Sequence, residues 1–186
     1  MKYKHLVFFS IFTFIIGIGI GYFLQQEIGL KENVYNKLFT CPGCDNEILN
    51  LIKNSKQRIY CEMYHIDYKK YVDALIEAKK RGVDVKIIVD KESYLCDPRK
   101  NRVCKYYKQS IEDLKDNGID VKYNDNFVIF HSKSCLFDNI LFVGSHNFTP
   151  TSAKKNREIN ILTNSTKAIN DFLEVFNRDY ALSKGV

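Results

Sequence analysis

His131, Lys133 and Asp138 stand in the run HSKSCLFD, where their types and spacing suit the handling of a phosphate. If FVIFH is a strand with His131 at its end, His131 and Lys133 point to the same side, because side chains alternate along a strand. Further on comes Gly144-Ser145-His146-Asn147-Phe148-Thr149, a small-polar turn after an apolar run, and Asn156 and Glu158 then open another strand. An imidazole, an ammonium, a hydroxyl and a carboxamide at one sheet edge make a site for a phosphate diester. Lys133 would neutralise non-bridging oxygens, and Ser145 and Asn147 would donate hydrogen bonds to them. His131 is the one nucleophile or base of the set that titrates near neutrality. Taken singly, each residue has a duller reading: a satisfied structural histidine, a solvated lysine, a common turn. Their joint spacing carries the weight.

These groups need a sheet to hold them. KENVYNKLFT reads as a short tether and first strand, and Asp45 as the cap of a helix to about Lys56 with Ile48, Leu49, Leu51 and Ile52 buried. RIYCEMYHI reads as a strand, residues 68–81 as a helix stopped by Gly82, and VDVKIIVD as a strand of a covered parallel sheet. The stretch 91–108 is polar and basic, and SIEDLKDNG completes a helix ending at Gly118. IDVKY, FVIFH, KSCLFD and ILFVG follow as four strand candidates, the last two joined in a hairpin by Asp138-Asn139. EINILT is a further strand, and the final helix, about Ser165 to Ala181, buries Ala168, Ile169, Phe172, Leu173 and Phe176. Alternating helices and strands predict an α/β sandwich with a mixed sheet.

The set H-x-K-x4-D, G-S-x-N-x-T and N-x-E resembles the phospholipase D superfamily. The residues that carry the likeness are His131, Lys133, Asp138, Gly144, Ser145, Asn147, Thr149, Asn156 and Glu158, and it extends over about residues 40–181. The resemblance implies a phospholipase D-like α/β/α sandwich with a mixed β-sheet. It also implies a phosphodiesterase that needs no metal and no other cofactor. One His131 would attack phosphorus to form a phosphohistidine, and a second would protonate the leaving oxygen and then activate water. Glu158 resembles the family residue that orients the histidine, and Asp138 a salt-bridge partner that supports the site. Phospholipases and synthases of the superfamily carry two copies of the motif, whereas this chain has one, so the resemblance implies a homodimer. The short single-motif members it is similar to are bacterial and archaeal endonucleases and mitochondrial Zucchini, the last with an N-terminal anchor. His146, at the variable position of G-S-x-N, either tunes phosphate binding or is incidental.

Residues 6–24 contain no charged side chain and, as a helix, would span roughly 28 Å, about the thickness of a bilayer core. The basic MKYKH before them predicts a cytoplasmic N-terminus and an extracytoplasmic catalytic domain. A cleaved signal peptide is the rival, but no A-x-A site follows Leu24. The expected organisation is an anchor at 1–27, a linker at 28–39 and a catalytic domain at 40–186, a single-pass membrane protein. Gly17 and Gly21 form a G-x-x-x-G pair that would let two anchors approach.

The 186 residues carry a net charge of +6, which fits an anionic partner, nucleic acid or lipid headgroups. Arg99, Lys100 and Arg102, flanked by Lys91 and Lys105, and then Lys154, Lys155 and Arg157 beside the turn, are the candidate backbone contacts. Of six cysteines, Cys96 and Cys104 bracket a polar run and are a candidate disulfide. Cys41 and Cys44 are a short disulfide, a redox pair or half of a metal site, and Cys61 and Cys135 read as buried free thiols. A zinc site of Cys41, Cys44, Cys61 and His65 is excluded, because in one strand residues 61 and 65 lie roughly 13 Å apart. The leading function is a nuclease acting on DNA or RNA. Phospholipid headgroup cleavage and an idle scaffold are the competitors, and the intact His131–Lys133 pair opposes the last.

Overall fold

The computed structural model describes residues 33–101 and 103–186. Eight strands form one mixed sheet in the order β1-β7-β6-β5-β2-β3-β4-β8. In chain order these are β1 (Asn36–Cys41), β2 (Arg58–Met63), β3 (Asp84–Asp90), β4 (Asp120–Asn124), β5 (Lys133–Phe137), β6 (Ile140–Gly144), β7 (Glu158–Thr163) and β8 (Lys184–Gly185). The helices are α1 (Asp45–Asn54), α2 (Lys69–Lys80), α3 (Lys91–Leu95), α4 (Val103–Asp116), α5 (Pro150–Lys154) and α6 (Thr166–Leu182). Strand β1 begins inside the stretch expected to be linker.

The β2–β3 and β3–β4 pairs are parallel and the others antiparallel. A parallel pair needs a crossover, and α2 and α4 supply the two. Alternation along the strands divides the core. Ile59, Cys61, Ile87 and Cys135 face α1, α2 and α4, where Ile48, Ile52, Leu75 and Ile111 are buried. Ile88 and Leu136 face α6, which covers them with Ile169, Phe172 and Phe176. The expected α/β/α sandwich is therefore present, although its preceding transmembrane helix, with Gly17 and Gly21, lies outside the described residues. Among the described residues no helix is long and apolar enough to cross a membrane.

Several local expectations are corrected. FVIFH is not a strand: residues 125–132 are irregular, with Phe127, Val128 and Ile129 exposed. Every interior place of the sheet is already taken by another strand. His131 consequently precedes β5 instead of ending a strand of its own. Asp45 is the first residue of α1 and not its cap, since Cys44 holds that position without a side-chain bond. Polar composition had masked two helices between 91 and 108, α3 and the start of α4. Cys61 and Cys135 are not free thiols but a disulfide, because they stand opposite each other in the β2–β5 register.

Candidate active site

The β5–β6–β7 register brings the motif together. Ser134 pairs with Val143 and Gly144 with Asn160, so Lys133, Ser145 and Glu158 emerge at one sheet edge. Gly144 is required there, because a Cβ at 144 would collide with the side chain and Cα of Asn160. The tip of β2 completes the edge, with Tyr64 N–H donating to Ser132 O at 2.9 Å and Phe148 N–H to His65 O at 3.1 Å.

His131 is exposed, and its ring packs 4.6 Å from that of Tyr64. Partial burial, and then the charge of Lys133, lower its pKa below the ordinary 6.5, which leaves a neutral, nucleophilic imidazole at physiological pH. Lys133 is buried and donates to His131 O at 2.7 Å, with Nζ 4.8 Å from the Tyr64 ring centroid. Burial lowers its pKa to about 8, partly offset by the charge of Glu158. A desolvated ammonium held beside an exposed histidine is an anion subsite with little water to screen it.

The turn behaves differently from the simplest reading. Ser145 Oγ donates to Glu158 Oε2 and accepts from Ile159 N–H at 3.2 Å, so its proton is engaged. Glu158 Oε1 accepts from Asn156 Nδ2 at 3.0 Å. Among the described residues Glu158 therefore orients Ser145 and Asn156, and its bonds do not reach His131. Asn147 keeps its side chain unspent, with Oδ1 buried and no partner among the described residues. Thr149 caps α5, its Oγ1 accepting from Ser152 N–H. His146 is turned inward and fully buried, its pKa lowered to about 4 by burial. It does not face phosphate.

Asp138 is the motif residue that lies elsewhere. It follows the far end of β5, roughly 17 Å from Lys133 at about 3.3 Å per residue. There it accepts from the N–H groups of Lys56, Gln57 and Arg58 at 2.9, 2.8 and 3.0 Å. The support expected from a salt bridge comes instead from backbone donors, and Asp138 fastens the β5–β6 turn to the start of β2.

Of the basic candidates, Lys154, Lys155 and Arg157 are exposed just after the turn. Arg99 is exposed but paired with Asp97, Lys100 is exposed in the same loop, and Arg102 lies outside the described residues. Cys96 and Cys104 are joined as a disulfide, and so are Cys41 and Cys44. Sequence reasoning passed over Tyr64 and weighed His65 only as a zinc ligand. The His65 ring lies 3.7 Å from that of Tyr64 and stacks 4.1 Å from Tyr107, while its Nδ1 bonds Ser93 Oγ at 2.7 Å. The signal available was position, two polar aromatics just past a buried strand, at the edge where α/β sheets place their sites.

Comparisons with known proteins agree with this geometry. Residues 48–180 match the family described as cardiolipin synthase, PLD-like domain. A protein named phospholipase D from Rickettsia prowazekii is 26% identical over 201 residues, covering 94% of this chain and 93% of the relative. Its Rickettsia bellii counterpart is 29% identical, covering 94% of this chain and 95% of the relative. Nuc, a phospholipase D family member from Salmonella typhimurium, superposes with a TM-score of 0.74 at 26% identity, over 83% of this chain and 99% of its own. The family match over most of the chain, with His131, Lys133, Asn147 and Glu158 at one sheet edge, establishes that the chain belongs to the phospholipase D-like family of phosphodiesterases.

Proposed function

We propose that the protein is a metal-independent endonuclease that cleaves DNA or RNA as a homodimer through a phosphohistidine on His131. In this reading residues 6–24 anchor it to a membrane and the catalytic domain faces away from the cytoplasm. The observation that carries the proposal is an exposed His131 beside a desolvated Lys133, with no second titratable group bonded to its ring among the described residues to act on a leaving oxygen. A second copy across a twofold axis supplies one. Neutral His131 attacks phosphorus as the P–O bond breaks, and the partner's His131, held cationic by the negative charge of the bound phosphate between the two rings, gives its proton to the departing oxygen. Water then attacks the phosphohistidine, losing its proton to that second imidazole, and His131 is regenerated.

Two features support the details. Phe127, Val128 and Ile129, separated from His131 by the buried Phe130, are 47%, 90% and 53% exposed, an apolar strip that a second copy would cover. Lys154, Lys155 and Arg157 lie beside the turn, where they would track a nucleic-acid backbone. The alternative, cleavage of phospholipid headgroups, is favoured by the apolar segment 6–24 and by relatives named phospholipase D.

The test uses the full-length protein in detergent with labelled single- and double-stranded nucleic acid and labelled phospholipid, with and without EDTA. Nucleic-acid cleavage that persists in EDTA, by a species of dimer mass in light scattering, is expected. Lipid turnover without nuclease activity moves the protein to the alternative. Complete inhibition by EDTA overturns the metal-free chemistry, and full activity in a monomer overturns the shared site.

A further inference from the structure

Directly behind the catalytic turn lies a group of side chains that the phosphodiesterase chemistry does not use. Cys41 ends β1, Cys44 stands at the head of α1, and His146 projects inward from between Ser145 and Asn147. All three are buried, at 0%, 5% and 0% exposure. We propose that the Cys41–Cys44 disulfide is the oxidised form of a metal site, in which Cys41 Sγ, Cys44 Sγ and His146 Nδ1 bind one thiophilic transition-metal ion such as zinc once the pair is reduced.

The geometry needs little adjustment. The three ligand atoms lie within 4.8 Å of one another, and Cys41 Sγ is 3.7 Å from His146 Nδ1. Around tetrahedral zinc, with Zn–S of about 2.3 Å and Zn–N of about 2.0 Å, neighbouring ligand atoms sit roughly 3.5–3.8 Å apart. The imidazole therefore already stands at ligand distance from one sulfur, and the two sulfurs have only to part. Two cysteines separated by two residues have the spacing that lets both thiolates reach one ion. Gly43 makes the intervening turn at φ 88°, and Cys44 stands at the N-cap of the ten-residue α1.

The surroundings are those of a ligand histidine. Tyr71 Oη lies 3.2 Å from His146 Nε2, and the ring is enclosed by Tyr71, Phe142 and Phe148. With the proton on Nε2 donated to Tyr71, the lone pair of Nδ1 faces the sulfurs, as a partner on the other ring nitrogen does for metal-bound histidines. Asn160 completes the arrangement. Its Nδ2 points to Cys41 Sγ at 3.8 Å, and its Oδ1 accepts from His146 N–H at 3.2 Å. A disulfide kept only as a staple does not need an oriented imidazole and a carboxamide donor aimed at its sulfur.

Reduction consumes two equivalents of a small thiol, which leave as their own disulfide, and yields two cysteine thiols. The metal ion then displaces both thiol protons to solvent and takes Nδ1 as its third ligand, leaving one position for water. Pro42 and Gly43 are exposed, so the sulfurs lie one residue beneath the surface.

The experiment titrates Co²⁺, as a spectroscopic stand-in for zinc, into the full chain after thiol reduction and anaerobic removal of the reductant. One ion per chain with a thiolate-to-cobalt charge-transfer band and tetrahedral d–d bands, displaced by Zn²⁺, is expected, and none for the oxidised protein. Cys44→Ser leaves the other cysteines in place and should abolish these bands. His146→Gln should weaken binding by at least about tenfold. Equal uptake by reduced wild type and Cys44→Ser overturns the site. Should His146→Gln fail to fold, alkylation of the reduced wild type decides. Zinc must shield Cys41 and Cys44 more than Cys96 and Cys104, and equal labelling with and without zinc refutes the proposal. Nuclease activity of oxidised protein in EDTA reports on the phosphoryl chemistry and the cobalt spectrum on this site, so either reading can fail alone.

Discussion

The two ends of β5 carry the two halves of one sequence motif and are built on opposite principles. At the Lys133 end an exposed imidazole and a buried ammonium are held loosely, by one bond from Nζ to His131 O and by contact with Tyr64. At the Asp138 end a carboxylate is saturated by three backbone N–H donors. Burial alone would raise the Asp138 pKa, but the N–H groups of Arg58, Lys56 and Gln57 outweigh it and hold it below the ordinary value. The first end keeps charge desolvated and available, and the second spends its charge on backbone. Fixed spacing between motif residues therefore does not mean a shared site, because a five-residue strand separates them.

The largest effect that would break this comparison is on catalysis. His131→Ala should lower the cleavage rate on the order of 10⁴-fold or more, as loss of a nucleophile does. Because the side chain is exposed, the variant should melt within about 0.5 kcal/mol of wild type. Asp138→Ala should do the reverse. It strands three backbone donors and puts alanine at φ 52°, for a loss of about 2–4 kcal/mol in urea unfolding, while the folded fraction keeps its rate within about tenfold. Asp138→Asn, which tolerates that φ, should lose less. If Asp138→Ala instead abolished turnover with unchanged stability, the two ends would share one function and the contrast would fail.

How far the sequence disclosed this division depended on what each residue's role required. His131, Lys133 and the G-S-x-N turn were legible because their chemistry is a matter of type and close spacing. The strands β2 and β3 were legible as apolar runs. FVIFH was misread because it has the same apolar character, yet Phe127, Val128 and Ile129 face outward, and only Phe130 is buried, where the sheet has no vacancy. The Cys61–Cys135 bond joins residues separated by 74 positions and follows from strand register, which no local pattern contains. His146 and Glu158 were seen, but not which way they point. The turn sends His146 into the core and Glu158 beneath Ser145, an outcome fixed by tertiary packing around Tyr71 and Asn160.

The smallest predicted effect sharpens the contrast by titration. The pKa of Lys133 is lowered to about 8 by burial, so the cation that receives phosphate is lost as pH rises through that value. The rate at saturating substrate should fall by about tenfold between pH 7 and pH 9 for one such lysine, without unfolding. Lys133→Arg, whose guanidinium stays charged, should flatten this limb even if its maximum rate is lower. Asp138 acts at the other end of the scale. A carboxylate with a depressed folded pKa contributes stability that is complete above the unfolded value, near 3.9, and is lost as pH falls through the folded one. Thermal melts from pH 7 down to pH 2 should therefore be shallower in Asp138→Asn than in wild type, while the alkaline activity limbs of the two coincide. An alkaline limb that moved with Asp138 and not with Lys133 would mean that the carboxylate reaches the phosphate site after all.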